Sequence, residues 1–503
     1  MSDRNNNHNR ETPMASAAPL FEKIGVGRIP EADRNSTPLR FLGMHLGTNL
    51  SLAMLIFGAL AVEFGLGFWG AITSLTVGSL VGVVLAIPLI LIGSKTATNN
   101  STASGAHFGV RGRLVGSIVG LAINLVYTAL GIWSGGQLIV AMLARLVGTP
   151  DTDAARAVAY AGLSLMVAVV AIWGYHVLFR VEIVVAILGA VSFALLAMAF
   201  FGKSDWSYDG GSYLLDSFWK TWIYSAVALG LSGPMASVIY MGDWSRYISP
   251  AKHSTRRLTV LGCAGLFTGV LLPSALGASI AVALHDPKGD FYPSLVNEAP
   301  GWALLAILPL AILGTIGFVA TNVYSSGLDL DAILPRLSRA AATTAGVIVS
   351  TALVFLGSFV YNATHALTAA ALVLVAISAP WVAITGLGYL WCRGRYHVDD
   401  LQVFNRRETG GRYWYSHGFN RGAMFAWAVA ASYGCLAIDA TPIYKGPLAD
   451  VAGGVDTSFI GSFALAGIIY FCYLSTVYSR AGQKRDTTIP GDPKAELAKE
   501  GVL

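Results

Sequence analysis

Charge is what this chain has least of. Lys, Arg, Asp and Glu make up 12% of its 503 residues, against roughly 25% in an average soluble domain. A soluble protein of this length would lack the polar surface to stay in water, whereas lipid can solvate apolar surface instead. Cysteine is also scarce. Cys263, Cys392, Cys435 and Cys472 are the four in the chain, and none forms a C-x-x-C pair, so neither a zinc site nor a disulfide framework is implied. No His-x-x-x-His and no nucleotide-binding glycine motif occurs in a suitable context. The net charge of +5 is too small and too scattered for a nucleic-acid surface. No signal peptide opens the chain. Residues 1–35, rich in Asn, Arg and Pro, read as a disordered tail, and 481–503 as a second tail.

What the chain has is hydrophobic residues, 54% of the total. A membrane span needs about 20 mainly apolar residues. Twelve stretches qualify, near 41–64, 70–94, 113–147, 156–174, 180–202, 221–241, 258–284, 301–327, 344–361, 367–392, 421–440 and 457–478. The third is long enough to tilt or to project beyond the bilayer. With both termini on one side, 27 of the 33 Lys and Arg fall in the loops of that side. The other side holds Arg145, Arg156, Lys203, Lys220, Lys288 and Lys445. In a bacterial-type membrane this asymmetry puts both termini in the cytoplasm. The reading is therefore an all-α integral membrane protein, with a transporter domain over 36–480 in the cell membrane.

Helices at membrane depth break only where broken backbone lines a cavity or is buried in protein. The first span contains His45-Leu46-Gly47-Thr48-Asn49-Leu50-Ser51. Its glycine serves either a break or close helix packing. The sixth contains Leu229-Gly230-Leu231-Ser232-Gly233-Pro234-Met235, where proline removes a backbone donor and crowds the preceding turn. A break is expected in each. Spans one and six correspond if 41–202 and 221–392 are two five-span repeats. An odd number of spans would make those repeats inverted, with a solute site at the breaks. The last two spans, 421–478, stand outside the repeats.

Polar side chains inside spans are the candidate ligand contacts. Trp133 and Gln137 lie four apart on the third span and share a helix face. An indole beside an amide suits a flat heteroaromatic ring, by stacking and by one donor plus one acceptor. Asn322, in Thr321-Asn322-Val323-Tyr324-Ser325, can pair with an amide-like ligand edge. Gln137 and Asn322 would equally serve as helix-to-helix hydrogen bonds. Asn124 reads as structural. Glu63, Glu182 and His176 fall near span ends, where snorkelling to water accounts for them. Past the sixth span, Asp243 and Arg246 suit a local ion pair with a structural or gating role.

Together these features resemble the nucleobase–cation symporters, the purine–cytosine permease family, from about Ile29 to about Ala430. The marker is Gly242-Asp243-Trp244-Ser245-Arg246-Tyr247-Ile248. It is joined by the Trp133/Gln137 pair, by Asn322 ahead of Tyr324-Ser325, and by Gly394-Arg395-Tyr396-His397-Val398-Asp399-Asp400-Leu401. The resemblance implies ten core helices of the leucine-transporter type plus two more. It also implies alternating access driven by sodium or protons, with nucleobases, ureides or hydantoins as cargo and no cofactor. Backbone near Gly233 would complete the pocket. Two positions depart from the family pattern. Pro234 stands where an aromatic often sandwiches the ring. Ile316 and Gly317 stand where sodium-coupled members carry hydroxyls. A cation site built from the backbone of Gly47 and Leu50 with Thr315 and Thr321 is thus the sodium alternative, and proton coupling is the other. A membrane enzyme would need clustered acids, bases or metal ligands within the spans, and the ionisable residues read as peripheral. A carrier for an amino acid or vitamin, or a non-transporting sensor of the same fold, remains an alternative. The carrier's oligomeric state is left open.

Overall fold

The computed structural model describes residues 25–172, 175–334, 337–360, 363–441 and 443–484. Two short helices, α1 (Pro38–Asn49) and α2 (Leu52–Glu63), form the first crossing. α3 (Phe68–Thr96), α4 (Leu114–Val147), α5 (Asp153–Ile172) and α6 (Tyr175–Phe200) follow. The next crossing is composite: α7 (Phe218–Ser225), a π-helical segment (Ala226–Leu231), α8 (Ser232–Ser237) and α9 (Met241–Ser245). α10 (Thr255–Ala281) leads to a loop helix, α11 (Phe291–Glu298). α12 (Leu304–Pro309), a second π segment (Leu310–Gly314) and α13 (Thr315–Ile333) make another composite crossing. α14 (Arg339–Phe359), α15 (Ala363–Trp391), α16 (Arg421–Ala437) and α17 (Ser458–Lys484) complete the bundle. One two-residue hairpin joins Asp439–Ala440 to Tyr444–Lys445.

Among the described residues, ten helices are long and apolar enough to cross a membrane, and the bent α1–α2 pair makes an eleventh. The expected eleventh span appears as α16, whose 17 residues fall short of the about 20 that a perpendicular crossing needs. The helix starts follow local chemistry. Thr37 accepts from the Arg40 amide ahead of Pro38, and Ser254 caps α10 through the Arg257 amide. Helix contacts are close where glycines allow. A Cβ on Gly58 of α2 would lie 1.7 Å from the Ser274 carbonyl oxygen of α10, and one on Gly277 would lie 1.8 Å from the Leu55 oxygen. These two helices therefore meet backbone to backbone, the packing available to small residues in lipid.

The two expected breaks come out differently. The first is an interruption: Leu50 and Ser51 leave the helix, and α1 and α2 meet at 60°. The sixth crossing is not unwound at Gly233-Pro234. It widens into the π segment before the proline and turns again at 238–240, but stays coiled through Pro234. The reason lies in the neighbouring helix. Proline leaves the Gly230 carbonyl without its usual donor, and the Ser79 hydroxyl of α3 supplies one at 3.1 Å.

Residues 25–35, expected within a disordered tail, are packed. Ile29 and Arg34 are buried. The Arg34 guanidinium donates to the carbonyls of Arg246, Ser94 and Ile248. The remaining tail residues, 1–24 and 485–503, lie outside the described residues, as does the side chain of His176.

Candidate substrate and cation site

α4 and α13 run antiparallel through the centre. Gly131 of α4 faces Phe318 and Val319, Gly135 faces Thr315, and Gly120 faces Asp329. This register sets Asn322 level with residue 128. Trp133 then lies one to two turns further along α4, and Gln137 about 14 Å from the level of Asn322 at 1.5 Å per residue. The two amides are too far apart to meet each other. Trp133 lies between their levels.

Each of these side chains has a defined setting. Trp133 is buried, and its indole N–H has no hydrogen-bond partner among the described residues. Gln137 donates to the Tyr160 hydroxyl of α5 at 3.1 Å. Asn322 donates to the Phe318 carbonyl of its own helix. On the same face of α13, Phe318 packs against Tyr127 of α4, and Ser325 donates to the Asp243 carboxylate at 2.6 Å. Asn322 is thus turned towards α4 and the sixth crossing. Asn124, read as structural, donates to Asp329. Tyr127 reaches across to the Ser232 carbonyl at 3.5 Å.

Gly233 does not present its backbone to this space. Its carbonyl accepts the Ser237 hydroxyl, and its open face meets Val270 of α10. Ser232, one residue earlier, offers the carbonyl that α4 contacts. Pro234 packs on Gly82 of α3, so no ring from the sixth crossing faces Trp133 there. A ring comes from elsewhere. Tyr292 of α11 meets Trp133 edge-on at 5.7 Å, and its hydroxyl donates to the Leu52 carbonyl at 3.1 Å. It thereby covers the indole and ties the loop helix to the start of α2. Nothing local in the sequence marks Tyr292, because its partners are supplied by two other segments.

At the break of the first crossing, the expected cation residues are only partly brought together. Gly47 and Thr321 lie about one group, the Glu182 carboxyl of α6. Thr321 donates to Glu182 Oε1 at 2.7 Å, and the Thr48 and Thr321 hydroxyls are 3.2 Å apart. Leu50 stands beside Gly314 and Gly189. Thr315 does not join them, since its hydroxyl packs on Gly135 of α4. Glu182 itself corrects the snorkelling expectation, for it is fully buried. The apolar stretch starts near 180, but α6 begins at Tyr175, so Glu182 stands two turns inside, roofed by α1 and α13. Glu63, by contrast, is half-buried at the end of α2.

Asp243 and Arg246 lie at the end of the bundle where the described chain begins. Arg246 donates to the Asp243 and Gly25 carbonyls and to the Tyr324 hydroxyl. Asp243 is held by Ser325 as described. Nearby, Asp329 accepts from Ser101 and Asn124.

Comparison with known proteins places this geometry. Residues 28–465 match the family described as permeases for cytosine/purines, uracil, thiamine and allantoin. The chain belongs to this permease family. As a member it is a multi-pass membrane transporter and not an enzyme. YxlA of Bacillus subtilis (strain 168), whose name assigns it to the purine-cytosine permeases, is 22% identical over 481 residues, covering 92% of this chain and 98% of that protein. Among solved structures, the fold is similar to Mhp1, a nucleobase-cation-symport-1 family transporter, in a closed conformation with bromovinylhydantoin bound. The TM-score is 0.71 at 17% identity, covering 96% of this chain and 100% of the other. The inward-facing conformation of Mhp1 gives a TM-score of 0.68 at 17% identity over 92% and 96% of the two chains. The permease thus has the all-α fold of these membrane transporters.

Proposed function

We propose that this permease imports a small planar nitrogenous compound, a nucleobase or a related ureide or hydantoin ring, by cation symport with alternating access. The observation that carries the reading is Trp133 under Tyr292, with Gln137 to one side of it along α4 and Asn322 to the other. Trp133 stacks on the ring, and the amides bond its two edges. The family's range of substrates and the hydantoin bound to Mhp1 support the same chemistry. Residues 41–202 and 221–392 serve as two inverted repeats that rock about this site, with 421–478 outside them. Both termini face the cytoplasm of a cell membrane, as the loop charges indicate. Trp133, Asn322 and Thr321 are buried, so solute reaches them only when packing at one end opens. Asp243 and Arg246 belong to that packing.

A thermal-shift screen of the purified permease against cytosine, uracil, hypoxanthine, allantoin, benzylhydantoin and thiamine tests the reading. A bound compound raises stability by mass action. Proteoliposome uptake of the same compound separates a carrier from a sensor, because a sensor binds without accumulation. Binding of amino acids in place of every planar compound would overturn the substrate class.

A further inference from the structure

The Glu182 carboxyl occupies the place where a coupling cation was sought. A Cβ on Gly47 of α1 would lie 2.6 Å from Glu182 Oε2, and one on Gly317 of α13 would lie 3.3 Å from the same oxygen. The two glycines leave the space that the carboxyl fills. Oε1 accepts from Thr321, but Oε2 has no hydrogen-bond partner among the described residues. From this geometry we propose that Glu182 carries the coupling proton of the transport cycle. The inference rests on the transport reading above.

The oxygen count distinguishes a proton from a metal ion. A hard cation needs several oxygens in a fixed cage. Here the Thr48 and Thr321 hydroxyls are already engaged with one another and with Oε1. A proton on Oε2 needs no cage of ligands, and it removes the charge of the carboxylate.

Among the described residues no cation is bonded to Glu182; Arg180 of its own helix is exposed. On α1, His45 meets Phe41 edge-on and Trp244 at a tilt, and Arg40 lies in the first turn. On α13, Asp329 is two turns beyond Thr321 and bonded to Ser101 and Asn124, with Asp331 past it. Tyr324 of α13 reaches Arg246, and Tyr240 of the sixth crossing is bonded to Ser237. Arg256 and Arg257 lie in the first turn of α10, whose Cys263 carries no charge as a thiol. Asp153 and Arg156 lie in the first turn of α5, where they pair with each other, and the Tyr160 phenol of that helix takes up Gln137. None of these groups is bonded to Glu182. A carboxylate with no counter-charge at this depth is costly, and a neutral acid is not.

The consequence is a coupling between proton and solute. With the acid neutral, α1, α6 and α13 close around it. Loss of its proton leaves a charge that needs water, which only an opening at one end admits. Thr321, bonded to this acid, adjoins Asn322, so the turn of α13 that senses the proton also holds the solute amide. Each ligand then biases the same two-state element.

The test uses the full-length permease. An infrared titration of the solute-free protein should show a protonated carboxyl band that titrates in wild type and is missing in Glu182→Gln. No such difference between the two proteins overturns the proposal, whatever the solute. In proteoliposomes without sodium, an inward gradient of one pH unit should drive up to about tenfold accumulation of the panel compound that binds, for one proton per solute. Glu182→Gln should still bind and exchange that compound but lose the accumulation. Accumulation that requires sodium and ignores the pH gradient also overturns the proposal. If the amide variant does not fold, Glu182→Asp keeps an acid and should shift the pH profile of accumulation; an unshifted profile counts against the proposal. Failure of every compound to bind wild type would instead defeat the transport reading and leave the infrared result to judge Glu182.

Discussion

At the scale of residues, the proposed site would divide its work between stacking and edge recognition. Trp133→Ala should weaken binding of the panel compound by about 1–3 kcal/mol, the scale of base–aromatic stacking. Gln137→Ala and Asn322→Ala should each cost about 1–3 kcal/mol, because a buried ligand edge loses its partner. Dissociation constants from ligand-dependent melting check all three, and wild-type affinity in all of them would refute the assignment. A second residue acts on stability. His107, in the connection between α3 and α4, is buried against the Tyr396 hydroxyl at 3.1 Å, and burial lowers its pKa to about 4. The unfolded chain therefore takes up a proton near pH 6.5 that the folded chain refuses. Stability is full above pH 6.5 and falls as the pH drops towards 4, by about 3 kcal/mol for a shift of this size. Melting in detergent from pH 8 to pH 4.5 should show a steeper loss for wild type than for His107→Gln. Gln137 and Asn322 stand out in the sequence because polar groups inside apolar runs are conspicuous. Tyr292 does not, since an aromatic in a loop between spans is ordinary until its partners are known.

At the scale of elements, the two broken crossings show how a helix is interrupted without orphaned backbone. The first gives up two residues at Leu50 and Ser51. The sixth keeps its coil by widening ahead of Pro234, with Ser79 supplying the donor that proline removes. Ser79→Ala should therefore lower stability by about 1–3 kcal/mol, the cost of a buried carbonyl left unpaired. In a Pro234→Ala background the restored amide can bond the Gly230 carbonyl itself, so the same substitution should cost less. Melting temperatures of the four proteins decide it, and equal costs in both backgrounds would rule out the role given to Ser79. Glycine and proline mark where a helix is weak. They do not say whether a neighbouring helix mends it, and that is why the sixth crossing came out coiled where a break was expected.

At the scale of the whole molecule, alternating access needs packing at each end of the bundle that can give way. Tyr292 covers one approach to Trp133. At the other end, the Arg34 guanidinium ties residues 25–36 to α3 and to the chain after α9. Arg34→Ala leaves three carbonyls without these donors, and closure at that end should weaken by roughly tenfold or more, about 1.4 kcal/mol. In a background free of native cysteines, a cysteine at Ser101 should then react faster with an impermeant maleimide added from that side. An unchanged rate would mean that this segment does not hold the end shut.

The sequence by itself determined that the chain crosses a membrane many times and where its helices are weakest. Hydropathy adds up over about 20 consecutive residues, and glycine and proline act on the backbone beside them. The family, too, was legible in a few short motifs. What only the tertiary structure decided is which groups meet. Glu182 reads as a span-end residue because the apolar stretch that holds it starts near 180. It became a buried acid only when α1 and α13 closed over it, with Thr321, 139 positions away, as its donor. Burial of a single side chain is set by partners distant in the chain, and no local pattern carries them.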